Sequence, residues 1–447
     1  MRLKWSSRRW AMKEVAKTVR SINVPPPKKP SRGFWLDFVF NMRNVYSTAS
    51  IFGFVAIIYF TPGNIEIFDP IQRALSDFSF TDIVFAVWRS ESEPVDQNII
   101  IVNVGRNRAE IAAQAKILAA MQPKVIGIDP IFSSEKEPEV DLALIDAIQS
   151  AKNVVLSSQL SELQEKTKNS GEKFTHIQAP NPKFRLPNVS FGHANFATQG
   201  AAATAQTIRE FEPQYTVGDS AFSAKDTTIN AFALEVAERF KPGIVKQLKE
   251  RSEEKELINY RGGLSKFILI DIEPNMAVDS AVEMYSALVK DKIVLLGFMG
   301  QPFNNPTDIR NKFYTPATEN YVGKNAPDMY AIVLHANIIS MLTTGELINQ
   351  MPDWASYALA VFVCFLNMAL FHWITIKLPS FAGGEMKVIQ LIQAGILVLG
   401  AMYALNTFDY QIKLSLTLAI ILLSSDVMEI HESSVKRLIE RIQDNRR

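Results

Sequence analysis

Three aspartates and two histidine–asparagine tripeptides are the residues whose types and spacing invite chemistry in this 447-residue chain. Asp129 closes the run "KVIGID" ahead of Pro130. A carboxylate placed so follows a buried strand, at the edge where open α/β sheets put their ligand crevices. Asp141 starts a helix and either caps it or faces the same crevice. Asp308 follows the strand "KIVLLG" at loop distance. Together the three can hold a ligand or a cation; alternatively, Asp129 accepts hydrogen bonds from the loop amides after its strand. His193–Ala194–Asn195 and His335–Ala336–Asn337 repeat the tripeptide "HAN". The repeat permits a shared pocket, or two asparagines that bridge backbone groups at element ends.

Other chemistries lack their residues. His176, His193 and His335 show no H-x-x-x-H spacing, and Cys364 has no second cysteine, so no metal site is expected. "VNVGRNRAE" offers only Gly105 where a dinucleotide site needs G-x-G-x-x-G, and neither a P-loop nor a G-x-S-x-G elbow occurs. No cofactor is implied. His372, inside an apolar run, is a functional group by default or an imidazole bonded to a neighbouring helix.

The elements that must carry these residues alternate. Ile99–Val104 and Val125–Phe132 are β-rich runs flanking a helical period through Ile111, Ala115, Leu118 and Met121, a βαβ unit. A helix is predicted over Glu137–Ala151 and a short strand over Asn153–Ser158. Further strands are expected at Leu257–Tyr260, Phe267–Ile272 and Lys292–Gly297, with helices at Thr228–Phe240 and Ile332–Thr343. Gly200–Thr207 is a helix or an insertion. The pattern predicts an α/β sandwich with a mainly parallel central sheet.

The net charge is +1 and 47% of residues are hydrophobic, enough for a large core plus membrane segments. Residues 1–43 form a basic arm, with eleven Lys/Arg against Glu14 and Asp37. Directly before an apolar stretch, such an arm sets membrane orientation and does not argue for nucleic acid. Residues 44–64 are uncharged, long enough to span, and lack a clean cleavage site, so they read as an uncleaved anchor. Further spans are predicted over 354–376, 388–408 and 410–428; the last has only a short apolar centre between Lys413 and Asp426. The positive flanks give one topology. The arm is cytoplasmic, 65–353 lies outside, the loop with Lys377 and Lys387 is inside, and the tail 429–447 is inside.

"IIIVNV", a helix ending "LAAMQPKVIGIDPIF" and then "DLALIDAIQSAKNVVLSS" resemble the opening of the CHASE2 domain, an extracytoplasmic sensory module of bacterial receptors. The likeness continues at "LINYRGG", at "LVKDKIVLLGFMG" with Asp308 and "YTP", and at "DMYAIVLHANIISMLTTGEL", covering about Ser92 to Leu347. Such receptors resemble this chain in having one helix before the domain and about three after it. Two departures stand out. Where the family follows "G-x-x-N" with "D-x-D-G" and an Arg, "GHANFATQGAAATAQTIREFEP" keeps Arg209 but replaces the acidic turn with small residues. Members also commonly continue into a cyclase, kinase or phosphodiesterase domain, which "HESSVKRLIERIQDNRR" cannot supply. In that tail Val435, Leu438, Ile439 and Ile442 form an apolar stripe, suited to helix continuation or to a partner.

The resemblance implies a non-enzymatic, multi-pass protein of the bacterial inner membrane with both termini cytoplasmic. It binds a ligand or envelope partner outside and relays or scaffolds through a separately encoded partner. Its contacts are the lipid bilayer, other membrane or envelope proteins and, in one reading, further copies of itself. The expected ligand residues are Asp129, Asp141, Asp308, His193, Asn195, Arg209, His335 and Asn337. Two rival readings are a structural subunit of an envelope complex without signalling, and a carboxylate- or metal-dependent enzyme.

Overall fold

The computed structural model describes residues 40–60, 81–89, 92–105, 107–164, 173–196, 207–217, 227–305, 309–317, 327–377 and 384–426. These fall into two compact units: Gly63–Asp353 with Gly395–Leu414, and Met1–Pro62 with Trp354–Ala394 and Ser415–Arg447.

In chain order the strands are β1 (Asp96–Asn103), β2 (Val125–Ile128), β3 (Val154–Gln164), β4 (Lys173–Gln178), β5 (Val189–His193), β6 (Glu210–Phe211), β7 (Gln214–Val217), β8 (Thr227–Asn230), β9 (Glu256–Leu257), β10 (Phe267–Ile270), β11 (Ile293–Gly297), β12 (Lys312–Phe313), β13 (Met329–Tyr330), β14 (Asn349–Gln350) and β15 (Tyr410–Gln411). The helices are α1 (Met42–Phe60), α2 (Arg108–Ala120), α3 (Pro138–Ser150), α4 (Phe232–Phe240), α5 (Ile244–Arg251), α6 (Val278–Val289), α7 (Ala331–Thr344), α8 (Asp353–Lys377), α9 (Gly384–Phe408) and α10 (Ser415–Asp426).

The first unit is built on a seven-stranded sheet in the order β10-β1-β11-β2-β3, with β4 and β5 both pairing β3. All pairings are parallel except β3 with β4. Alternate residues of each strand feed opposite faces. Ile100, Val102, Ile126, Ile128, Val294 and Leu296 pack with α2, α3 and α6. Ile99, Ile101, Val125, Ile293 and Leu295 pack with α4 and α7. Burial on both faces explains why these strands read as unbroken apolar runs. The expected mainly parallel α/β sandwich is the fold observed.

Three local expectations are corrected. The run Val125–Phe132 forms a strand only as far as Ile128, so Asp129 follows the strand's carboxyl end, as its place in the sequence indicated. The predicted Thr228–Phe240 helix starts at Phe232, because β-branched Thr227, Thr228 and Ile229 pair with β7 instead. The βαβ unit is observed, with β11 inserted between its two parallel strands. The strand predicted over Leu257–Tyr260 reduces to the two-residue β9 (Glu256–Leu257), which pairs with β6, and the Ile258 N–H beyond it still donates to the Arg209 carbonyl, 2.8 Å.

Helices α8 and α9 are long and apolar enough to cross a membrane, and α9 is divided between the two units after Ala394. The first predicted span overlaps α1 over residues 44–60; its last residues, 61–64, lie outside the described chain. The fourth yields only the shorter α10, because Tyr410 and Gln411 pair with β14. Polar side chains pair between the helices. Gln390 donates to the Ile421 carbonyl and to Ser424 Oγ (3.0 Å), Gln393 donates to Asn367 (2.8 Å), and His372 Nδ1 is 3.2 Å from Asn44 Oδ1. The charges that weakened the fourth span are paired: Lys413 with Asp353 and Lys387 with Asp426, both at 2.7 Å. The tail stripe Val435–Ile442 lies outside the described residues.

Candidate functional site

Asp129 is placed by the residue before it. Ile128 ends β2, and the Asp129 N–H still donates to the Leu296 carbonyl of β11, 2.9 Å away. Its carboxylate therefore emerges at the carboxyl edge of the sheet. His335 Nε2 of α7 lies 3.8 Å from Asp129 Oδ1, with the side chains 3% and 11% exposed. That is too long for a hydrogen bond and is an ion pair only if the imidazole is protonated. The His335 ring is held between Phe196 and Phe232, at centroid distances of 4.7 and 5.0 Å.

Burial works against charge on every member of this cluster. It raises the Asp129 pKa to about 6. It lowers His335 to about 3, helped by the charge of nearby His193, and lowers His193 to about 4. The peptide groups of Asn195 and Glu212 lie near the His193 ring and partly offset that shift, without reaching hydrogen-bond geometry. At neutral pH the site thus holds one carboxylate beside two neutral imidazoles. Neither imidazole has a hydrogen-bond partner among the described residues, and nor do the buried hydroxyls of Ser157, Ser158 and Thr315. Ser158 is the β3 partner of His193. Buried polar atoms left unpaired are costly, which makes the cluster the candidate site of the domain.

The two tripeptides divide their labour. His193 and His335 come together, whereas their asparagines serve the backbone. Asn195 exchanges hydrogen bonds with both peptide groups of Leu160, at 2.7 and 2.9 Å. Asn337 accepts from the Arg261 and Gly262 N–H groups (2.8 and 3.2 Å) and donates to the Gly262 and Val333 carbonyls (3.0 and 2.9 Å).

Asp141 is committed elsewhere. It accepts from Arg108 (2.5 Å), Lys183 (2.7 Å) and the Lys136 N–H (3.0 Å). Burial pulls its pKa upward, but those donors outweigh it and bring the value down to about 2. The network ties α2, α3 and the loop at Lys183 together, with the Arg108 guanidinium over Phe132 and Phe184. Arg209 grips Asp82 with two hydrogen bonds, at 2.8 and 2.6 Å. Asp308 lies outside the described residues. Among those described, no group of three His, Cys, Asp or Glu is arranged to hold a metal.

A second polar cluster escaped sequence reasoning. Ser340, five residues beyond His335 on α7, donates to Asp96 at the start of β1 (2.6 Å) and accepts from Arg261 Nε (3.0 Å). Arg261 also donates to the Pro94 carbonyl (3.1 Å). Next to it, Asn259 accepts from Arg89, whose guanidinium also donates to Asp409 (2.8 Å) and to the Leu405 and Asn406 carbonyls that end α9. The clue was Arg89 itself, a cation closing the apolar stretch "IVFAVWR".

A family model described as the CHASE2 domain matches residues 51–370, well over half of the chain. Neither the curated proteins nor the solved structures contain a match.

Proposed function

Because the chain belongs to the CHASE2 domain family, whose domains are extracytoplasmic and sensory, we propose that it is a membrane-anchored sensor that relays occupancy of its external domain to a separate partner. In this reading the chain crosses a bacterial inner membrane four times, through α1, α8, α9 and α10, with both termini in the cytoplasm. The basic N-terminal flank and the two long apolar helices support that topology.

One observation carries the relay. Helix α7 is buried from Ala331 to Leu342, and it joins the two polar clusters. His335 sits at the unpaired site, Asn337 clamps Arg261 and Gly262, and Ser340 enters the cluster that reaches Arg89. Arg89 in turn caps the carbonyl end of α9, where a cation is favoured by both the free carbonyls and the helix dipole. A packed helix cannot deform continuously, so a ligand that favours one position of α7 shifts the Arg89 contact as a unit.

Hydrogen exchange in the full chain tests this. His335→Leu should change protection over residues 405–411, and the change should vanish in an Arg89→Lys background. Identical responses in both backgrounds would refute the coupling. A docking role without signalling has one supporting feature: Met284 and Leu288 of α6 are exposed (62% and 43%), a surface for an envelope protein.

A further inference from the structure

His193, which ends β5, forms an isolated parallel bridge with Ala231, the residue just beyond β8, and a cleft of about 330 Å³ is lined by residues of both strands. That volume is within the range of about 300–1,000 Å³ that small-molecule sites occupy. Apolar surface comes from Phe191 and Ile229, while Arg185 and Glu235 bring opposite charges to the same cleft. The Arg185 guanidinium is pre-positioned: Nε and Nη2 both donate to the Pro180 carbonyl at 3.2 Å, and its Cζ lies over the Phe191 ring, 5.6 Å from the centroid. Glu235 accepts from Asn230 (2.8 Å) and Arg239 (3.4 Å), which leaves lone pairs on both oxygens. Ser190 Oγ, also in the lining, is shielded from solvent and has no hydrogen-bond partner among the described residues.

We infer that this cleft binds a small zwitterion, an amino acid or dipeptide with an apolar side chain. Its carboxylate meets Arg185, its ammonium meets Glu235, Ser190 supplies a further hydrogen bond, and the side chain lies on Phe191 and Ile229. Fixed opposite charges select a ligand carrying both, and disfavour one with either end blocked. Val189, Ser190 and Phe191 of β5 line the cleft and His193 ends that strand, so occupancy bears on the strand that ends in the unpaired cluster. That last link rests on the sensory reading above; the binding itself does not.

Calorimetry on the full chain in mild detergent tests the inference, with L-leucine and L-leucyl-L-leucine as probes. Both should bind, and N-acetyl-leucine amide should not. Arg185→Gln, at an exposed position, should weaken binding roughly 10- to 100-fold, the worth of a hydrogen bond to a charged group. Thr228→Trp, also exposed, should obstruct the cleft and abolish binding while leaving the melting curve intact. The inference falls if neither probe binds, if the blocked amide binds equally, or if Arg185→Gln binds like the native chain. A failed titration in a protein whose residues 405–411 still respond to His335→Leu would sink the ligand class and leave the sensory reading standing.

Discussion

Asp129→Asn should stabilise the protein, an unusual outcome for a residue at a candidate site. The side chain is 11% exposed, has no hydrogen bond to its carboxylate among the described residues, and titrates at about 6 in place of 3.8. Between these values the folded state holds a proton that the unfolded chain has released. The stability from that proton is lost as pH rises through about 6. Above it, the buried charge costs about 3 kcal/mol, at about 1.4 kcal/mol for each pH unit between 3.8 and about 6. Asparagine keeps the shape without the charge, so at pH 8 the variant should gain up to about 3 kcal/mol, a melting shift of about 5 °C for a domain of this size. At pH 4 the advantage should be gone. Thermal and urea melts of the full chain in detergent, followed by tryptophan fluorescence across that pH range, measure it. A variant less stable than the native chain at pH 8, or a difference that does not change with pH, would refute the reasoning. Either would mean that the Asp129 carboxylate is held by favourable bonds.

The same cluster predicts acid lability. His193 and His335 are held to about 4 and about 3 against 6.5, so the unfolded chain takes up their protons first and stability falls as pH drops below 6.5. Asp129 opposes this between about 6 and 3.8, leaving a net slope near one proton, about 1.4 kcal/mol per pH unit. His335→Leu should flatten that slope and Asp129→Asn should roughly double it, as read from melts at stepped pH. Asp141→Asn should behave oppositely to Asp129→Asn. It should cost about 2 kcal/mol at pH 7, an effect fading as pH falls from about 4 towards 2, because the carboxylate's depressed pKa stabilises the fold only above that window. Gly297→Ala should destabilise by about 1–3 kcal/mol or more, measured by urea melts, since its Cβ would stand 2.4 Å from Ile332 Cβ on buried α7.

What the sequence determined by itself was the layering. Apolar runs such as "NIIIVN" and "KIVLLG" are readable as strands buried on both faces, because a two-sided parallel strand needs no alternation. Charge asymmetry and long apolar runs likewise showed α8 and α9, and the order of family motifs showed the domain. Hydrogen-bond economy at Asn195 and Asn337 was one of two readings that the tripeptides allowed. Only the tertiary structure decided the rest, since each outcome depends on contacts distant in the chain. It slots β11 between β1 and β2, which no local period reveals. It separates two aspartates that look alike in sequence: Asp141 is neutralised by Arg108 and Lys183, whereas Asp129 is left beside an unprotonated His335. It also gathers Arg89, Asn259 and Asp409 across 320 residues of chain. A carboxylate's role follows from what surrounds it, because burial raises its pKa and a cation lowers it. Those surroundings exist only once the chain has folded.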